Sequence, residues 1–128
     1  MALDILIVDD SSAIRKILVR VLSQTNLSVG KIHEASDGVE AIRMLETNDV
    51  GLIMSDVNMP NMDGLQLLGN IRANQAWKHI PVIMITTEGS QAKVLEAVQL
   101  GATGYVRKPF TPEEIKVKIE ACFSGQLK

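Results

Sequence analysis

Five apolar or strand-like runs alternate with five segments of helical periodicity, and this alternation limits the fold more than any other feature. The runs cover residues 3–8, 31–35, 50–54, 81–85 and 104–107, of which the second is weak and follows a predicted turn at 26–30. Continuous β-branched runs are typical of strands that are buried on both faces. Strands that alternate with helices over short connections form a parallel sheet with helices on both sides. The sequence therefore predicts an α/β fold with a doubly wound five-stranded parallel sheet.

The helical segments have apolar residues at helical spacing and recognisable starts. Ser11 or Ser12 can cap the first helix, Asp37 leads into the second, and Thr111 caps the last with Pro112 at its first position. The apolar residues at helical spacing, helix by helix, are Ile14, Ile17, Leu18, Val21 and Leu22; Val39, Ile42 and Leu45; Leu65, Leu68 and Ile71; Val94, Leu95 and Val98; and Ile115, Ile119, Cys122 and Phe123.

Composition narrows the class of protein. A chain of 128 residues fits one domain, 1–128, and a net charge of -2 argues against a nucleic-acid-binding surface. No apolar run reaches the roughly 18 residues that a membrane span needs, and the N-terminus lacks the basic region of a signal peptide. The single Cys122 excludes an intramolecular disulfide and a cysteine metal cluster, and we expect it to pack in the core. These features favour a cytoplasmic protein, which we expect to be a monomer.

Polar side chains follow four of the predicted strands. Asp9 and Asp10 follow the first strand, Asp56 the third, Thr86 the fourth and Lys108 the fifth. In an open parallel sheet, ligands bind outside the carboxyl ends of the strands, where the strand order reverses. The sequence therefore predicts that these five side chains share one site.

The chemistry of this predicted site points to a metal ion. Carboxylates that lie close together repel one another and favour a cation. Lys108 can supply one positive charge, and a hard divalent ion with oxygen ligands, Mg²⁺, can supply the rest. No histidine lies near enough in the motif to indicate zinc. We assign Asp9 and Asp10 to the metal, with the main-chain carbonyl of Asn58 as a further ligand.

A site that holds Mg²⁺ and a lysine suits a phosphoryl group. The metal and Lys108 would neutralise phosphoryl oxygens, and the hydroxyl of Thr86 could donate a hydrogen bond to another. Asp56 stands between the acidic pair and the lysine, which makes it the best candidate for a nucleophile that forms an acyl phosphate.

The motifs that carry these residues resemble those of the receiver domains of two-component response regulators. They are Val-Asp-Asp-Ser at 8–11, Ser-Asp-Val-Asn-Met-Pro-Asn-Met-Asp-Gly at 55–64, Thr86, and Lys108-Pro109-Phe110. The resemblance covers essentially the whole chain, and the asparagine-containing turn after Asp56 is similar to that of stand-alone CheY-like members. It implies a (βα)5 flavodoxin-like fold with strand order 2-1-3-4-5 and a single receiver domain without an output domain.

The resemblance also implies roles for the acidic residues. Asp56 would accept phosphate from a histidine kinase of the CheA kind. Mg²⁺ would be held by Asp10, Asp56 and the carbonyl of Asn58, with Asp9 acting mostly through water. Asn58 and Glu88 match family positions that tune the lifetime of the phosphate.

Other matched positions concern the response to phosphorylation. Thr86 and Tyr105 match a hydroxyl and an aromatic residue that switch together. The surface formed by the fourth helix, fifth strand and fifth helix would bind a downstream protein. The Lys108–Pro109 bond matches a position that is usually cis, which an X-Pro bond tolerates. Residues 89–91, Gly-Ser-Gln, lack the lysine pair of enterobacterial CheY. This difference counts against a flagellar motor partner but does not affect the phosphorylation chemistry.

The function predicted from the sequence is that of a single-domain response regulator, with chemotaxis-type signalling as the expected context. The chain would undergo only Mg²⁺-dependent self-phosphorylation and autodephosphorylation and would not be an enzyme. It could instead serve as a phosphorelay intermediate or a phosphate sink. An aspartate-nucleophile phosphohydrolase would carry its nucleophile after the first strand and a second acid two residues later. Here Asp56 follows the third strand, and the residue two positions later is Asn58, which is not an acid. A flavodoxin-like cofactor carrier would need aromatic residues, which are only 3% of this chain.

Overall fold

A computed structural model describes residues 2–87 and 91–123 of the chain. Five parallel strands form one sheet in the order β2-β1-β3-β4-β5, as the resemblance implied. The strands are β1 (Leu3–Val8), β2 (Val29–Ala35), β3 (Leu52–Ser55), β4 (Val82–Thr86) and β5 (Gly104–Arg107). The helices are α1 (Ser12–Ser23), α2 (Gly38–Thr47), α3 (Gly64–Ala73), α4 (Gln91–Gln99) and α5 (Pro112–Phe123). The predicted α/β fold is therefore confirmed.

The central strands are buried on both faces, which explains their unbroken apolar sequence. Alternate residues of β1 point to opposite sides: Leu6 and Val8 belong to the core under α2 and α3, whereas Ile5 and Ile7 belong to the core under α1 and α5. Each layer thus receives every second side chain of the strand.

The predicted start of β2 was wrong by two residues. The strand begins at Val29, within the segment predicted as a turn. Val29 pairs with Leu3, and the backbone N–H of Lys31 donates to the Asp4 carboxylate at 2.7 Å. Pairing with β1, which local residue preferences do not encode, extends this strand.

Several of the apolar residues at helical spacing point to solvent rather than into the core. Ile17 on α1 and Val39 on α2 are exposed, and Leu95 and Val98 on α4 are 58% and 59% exposed. In α4, the residue that is buried against the sheet is the small Ala97. The apolar spacing of α4 was real, but it marks a surface of the protein rather than its core.

The helix starts agree with the capping residues predicted from the sequence. The Ser11 hydroxyl, rather than that of Ser12, accepts from the backbone of α1. Asp37 caps α2 and Thr111 caps α5. The sequence analysis missed a further cap, a reciprocal pair in which Asp63 and Gln66 close the first turn of α3.

Arg72 fixes the end of the sheet that lies away from the predicted site. Its guanidinium donates to the carbonyl oxygens of Ile80 at 2.7 Å and Gly101 at 2.9 Å, and to the hydroxyl of Thr103 at 3.3 Å. These bonds join the last turn of α3 to the segments that lead into β4 and β5. Within residues 2–87 and 91–123, no helix combines the length and apolar character that crossing a membrane requires.

Candidate functional site

The carboxyl ends of β1 and β3 bring Asp9 and Asp56 together. Val8 pairs with Ser55 in the sheet, and the backbone N–H of Asp56 donates to the Val8 carbonyl at 2.9 Å. This hydrogen bond carries the strand pairing one residue further, into the two acids. Asp9 and Asp56 are only 2% and 8% exposed, whereas Asp10 is exposed. Two buried carboxylates therefore lie side by side with a third at the surface.

Lys108 places its ammonium between the two buried carboxylates. Its Nζ lies 2.9 Å from Asp9 Oδ2 and 3.5 Å from Asp56 Oδ2. The backbone N–H of Lys108 donates to the Thr86 carbonyl at 2.9 Å, so pairing of β5 with β4 sets where the side chain starts. The Lys108–Pro109 peptide bond is cis, as the resemblance implied. Because a buried carboxylate without a partner is costly, the ammonium is needed for both acids.

The remaining carboxylate oxygens of these acids accept hydrogen bonds from the backbone. Asp56 Oδ1 accepts from the N–H of Val57 at 2.7 Å, and Asp9 Oδ1 accepts from the N–H of Ser11 at 2.9 Å. Each acid thus has one oxygen held by its own chain and one turned toward Lys108. This arrangement fixes the orientation of both carboxylates.

Arg15 supports the acidic pair in a way that the sequence analysis missed. Its Nη1 donates to the carbonyl oxygen of Asp9 at 2.6 Å, and its Nε pairs with Glu34 at 2.9 Å. The spacing of Arg15 in α1 gives only a helical surface position. The signal that could have found it is its place one turn after the acidic pair.

The three acids could hold a metal ion. Asp9, Asp10 and Asp56 each offer a carboxylate oxygen, and these oxygens all lie within 4.8 Å of one another. The three carboxylates have one ammonium, that of Lys108, which contacts Asp9 and Asp56, so carboxylates outnumber the ammonium groups paired with them. Hard oxygen donors with this excess of negative charge fit a hard divalent cation. Asn58 lies two residues after Asp56 and is exposed.

Gly64 lets the chain turn back against Asp56. Its backbone N–H donates to the Val57 carbonyl at 2.8 Å, which closes the loop of residues 57–63. A Cβ atom at this position would overlap the carbonyl oxygen of Asp56. The sequence marked Asp63-Gly64 as a turn, but only the structure shows that the glycine is required by close contact with the Asp56 backbone.

Thr86 and Tyr105 lie on the same side of the sheet, and the predicted switch requires this arrangement. Thr86 ends β4 and is fully buried, and it pairs with Arg107 of β5. Tyr105 lies two residues earlier in β5, is half-buried and packs against the core. Their predicted roles stay predictions, and Glu88, like residues 89–90, lies outside the described residues.

Comparison with known proteins identifies the family. The model of the response regulator receiver domain matches residues 5–120. The chain belongs to the receiver domain family. The receiver resemblance, drawn from the acidic pair, the Asp56 motif, Thr86 and the lysine-proline motif, is thereby confirmed.

Two curated relatives show how similar this receiver domain is to named members. The chemotaxis protein CheY-3 of Vibrio cholerae is 44% identical over 119 residues, which cover 93% of this chain and 90% of that protein. The chemotaxis protein CheY1 of Helicobacter pylori is 45% identical over 117 residues, which cover 91% of this chain and 93% of that protein. Both relatives are thus matched over nearly their whole length.

Solved structures agree with this receiver fold. The chemotaxis response regulator CheY4 of Vibrio cholerae superposes with a TM-score of 0.85 at 34% identity, covering 95% of this chain and 99% of that chain. A CheY-like receiver domain protein from Methanospirillum hungatei gives a TM-score of 0.86 at 25% identity, with 99% and 98% covered.

Replacing Gly64 by alanine should strongly destabilise the receiver domain. Because the added Cβ overlaps the Asp56 carbonyl, we expect Gly64→Ala to lower the free energy of unfolding by more than about 3 kcal/mol. Gly69 is the matched control, since it lies inside α3 and its Cβ would approach only Leu100 Cδ2, at 4.0 Å. Gly69→Ala should raise stability by about 0.5–1 kcal/mol. Urea denaturation measures both, and equal effects would contradict the close contact.

Removing a carboxylate should change stability in opposite directions without and with Mg²⁺. In EDTA, Asp10→Asn should raise the free energy of unfolding by about 0.5–1 kcal/mol, because it relieves repulsion in the acidic group. At Mg²⁺ ten times above its dissociation constant, the wild type should gain about 1.4 kcal/mol and the variant much less. Asp49→Asn removes an exposed carboxylate elsewhere and should show neither effect. A similar Mg²⁺ stabilisation of wild type and Asp10→Asn would count against the metal site.

Proposed function

We propose that the chain is a response regulator that accepts a phosphoryl group on Asp56 from a phosphohistidine of a CheA-like histidine kinase. The observation that carries this proposal is the partly buried Lys108 ammonium, shared by Asp9 and Asp56 beside a third carboxylate. This grouping offers a nucleophile, a cation for the phosphoryl oxygens and oxygen ligands for Mg²⁺. The similarity to chemotaxis proteins over nearly the whole chain supports a role in chemotaxis-type signalling.

In the proposed transfer, a carboxylate oxygen of Asp56 attacks phosphorus. The phosphorus–nitrogen bond of the donor breaks, and the leaving imidazole nitrogen keeps the electron pair. Lys108 neutralises a phosphoryl oxygen, while the N–H of Val57 holds the other oxygen of Asp56 in place. The hydroxyl of Thr86 donates to a further phosphoryl oxygen. Bound Mg²⁺ would supply further neutralisation of the charge on the phosphoryl group.

The residues proposed to hold Mg²⁺ are Asp10, Asp56 and the main-chain carbonyl of Asn58. Asp9 acts mostly through water, because its Oδ2 lies closer to the Lys108 ammonium, at 2.9 Å, than the Oδ2 of Asp56, at 3.5 Å. The carboxylate oxygens of the three acids lie close enough together to share one ion, which supports this assignment.

The chemistry is proposed to end with self-phosphorylation and autodephosphorylation. The residue two positions after Asp56 is Asn58, which cannot act as a general acid for a leaving group. We therefore propose a signalling protein rather than an enzyme. The match to the receiver model over 5–120 supports one receiver domain in this chain. We further propose that it acts as a cytoplasmic monomer that does not bind nucleic acid.

A downstream protein is proposed to bind the surface of α4, β5 and α5. Leu95 and Val98 on α4 and Val117 on α5 are exposed apolar residues on these elements. Tyr105 of β5 and Val117 also line a groove of about 440 Å³. Exposed apolar groups of this kind suit a partner that presents apolar side chains. Phosphorylation would draw Thr86 toward the phosphoryl group and let Tyr105 turn, which changes this surface.

Phosphorylation itself can be tested with acetyl phosphate as the donor. Incubation with acetyl phosphate and Mg²⁺ should give a base-labile phosphate adduct in the intact mass of the wild type. The adduct should be absent with EDTA and in Asp56→Asn, because the metal or the nucleophile is missing. Asp49→Asn, which removes an exposed carboxylate away from the site, should form the adduct as the wild type does.

The same experiment separates the proposal from a hydrolase. Rapid turnover of unrelated phosphate esters would favour a phosphohydrolase and contradict the receiver function. Beryllofluoride, a stable phosphate mimic, controls for an adduct that decays before it is measured. An adduct that persists in Asp56→Asn would show that another residue is the acceptor.

The proposed switch predicts which parts of the structure change when a phosphoryl group, or a mimic of it, binds at Asp56. Beryllofluoride with Mg²⁺ should shift the NMR signals of α4, β5 and α5, while the exposed surface of α1 around Ile17 should change little. Thr86→Ala should still bind beryllofluoride but lose most of the shift at Tyr105. The variant lacks the hydroxyl that is proposed to move toward the phosphoryl group. Equal shifts at Tyr105 in the wild type and Thr86→Ala would contradict this coupling.

A further inference from the structure

The N-terminus of α2 holds the loop that follows Asp56. One carboxylate oxygen of Asp37 caps α2 by accepting from the N–H of Glu40 at 2.9 Å. The other accepts from Nδ2 of Asn61 at 2.7 Å, and the N–H of Gly38 donates to the Met62 carbonyl at 3.1 Å. We refer to these contacts of Asp37 and Gly38 with Asn61 and Met62 as the α2 clamp.

The α2 clamp fits the shape of the loop. Asn61 adopts a left-handed backbone conformation, with φ of 66°, and the N–H of Met62 donates to the Pro60 carbonyl at 2.7 Å. This tight turn presents the Asn61 amide to Asp37. A Cβ atom on Gly38 would lie 2.6–2.8 Å from side-chain atoms of Met62, so the glycine allows α2 to approach the loop this closely.

The loop is held at two places, and Asn58 lies between them. At its base, the N–H of Gly64 donates to the Val57 carbonyl at 2.8 Å. At its tip, the α2 clamp holds Asn61 and Met62. The conformations open to the Asn58 carbonyl are therefore limited by contacts outside the acidic group. Hydrogen bonds from the N–H of Glu40 and from Asn61 lower the pKa of Asp37, which keeps the accepting carboxylate ionised at neutral pH.

We propose that the α2 clamp positions the Asn58 carbonyl for a divalent cation, so that Asp37 and Asn61 are positioning residues for the metal site. The proposal rests on the proposed function, because that function supplies the role of Asn58. Binding free energies are reciprocal, so a cation that needs the clamped loop must also stabilise the clamp and the first turn of α2. The first turn of α2 thus responds to the state of the site.

Two substitutions remove the Asp37–Asn61 hydrogen bond of the clamp from opposite sides while keeping local backbone structure. Asp37→Ser retains a good N-cap for α2 but loses the second acceptor, which bonds Asn61. Asn61→Gly retains the left-handed conformation but loses the amide that donates to Asp37. Asp63→Ser is the matched control, since it keeps the cap of α3 in the same loop and does not touch the clamp. Urea denaturation establishes that each variant is folded.

Isothermal titration with MgCl₂ measures the metal affinity of these folded variants. Asp37→Ser and Asn61→Gly should each weaken Mg²⁺ binding about three- to tenfold, the range that loss of one ordinary, solvent-accessible hydrogen bond predicts. The double variant should bind about as weakly as either single variant, because both remove the same contact. Asp63→Ser should stay within about twofold of the wild type.

Amide hydrogen exchange gives a second readout that does not depend on activity. Protection of the Gly38 N–H, which donates to Met62, should rise about three- to tenfold on addition of Mg²⁺ in the wild type. The increase should be lost in Asn61→Gly and kept in Asp63→Ser. A structural role confined to capping α2 would leave this Mg²⁺ dependence unchanged in Asn61→Gly.

The outcomes separate this inference from the proposed function. Wild-type Mg²⁺ affinity in both folded clamp variants would overturn the α2 clamp and leave the phosphorylation proposal standing. Additive weakening in the double variant would also overturn it, because the two residues would then act independently. No Mg²⁺ binding by the wild type would overturn the proposed metal site and this inference together.

Discussion

The pairing of the partly buried Lys108 ammonium with two buried carboxylates is the interaction on which the rest of the site depends. The ammonium contacts Asp9, a residue 99 positions earlier in the chain, and lies 3.5 Å from Asp56. Two carboxylates could not be buried side by side without such a partner. The carboxyl ends of β1, β3 and β5 must therefore come together before both acids can be buried and paired. The site thus depends on formation of the sheet. The third acid, Asp10, leaves the group with more negative charge than one lysine can balance.

Backbone contacts then make this charged group rigid. The N–H groups of Ser11 and Val57 each hold one oxygen of an acid, and Arg15 holds the carbonyl of Asp9. The loop after Asp56 is closed at its base through Gly64 and held at its tip by α2. Backbone groups therefore fix the orientation of both buried acids, while the second oxygen of each acid faces Lys108.

The surface of α4 shows that apolar periodicity has two possible meanings. Leu95 and Val98 follow a helical spacing that is typical of a core-facing side, yet both are exposed. Ala97 takes the place against the sheet because a small side chain lets the helix lie close. The same spacing can therefore indicate a surface that another protein covers, and periodicity alone does not separate these cases.

Local sequence was enough for the five strands, the five helices and three of the helix caps, because runs and caps depend on neighbouring residues. It also indicated Asp9, Asp56 and Lys108, since the ends of parallel strands meet at one edge. Tertiary structure decided what depends on distant partners: the extension of β2 along β1, the exposure of α4, and the contact of Gly64 with the Asp56 backbone. These features arise from pairing and packing between segments far apart in the chain, which no local pattern records.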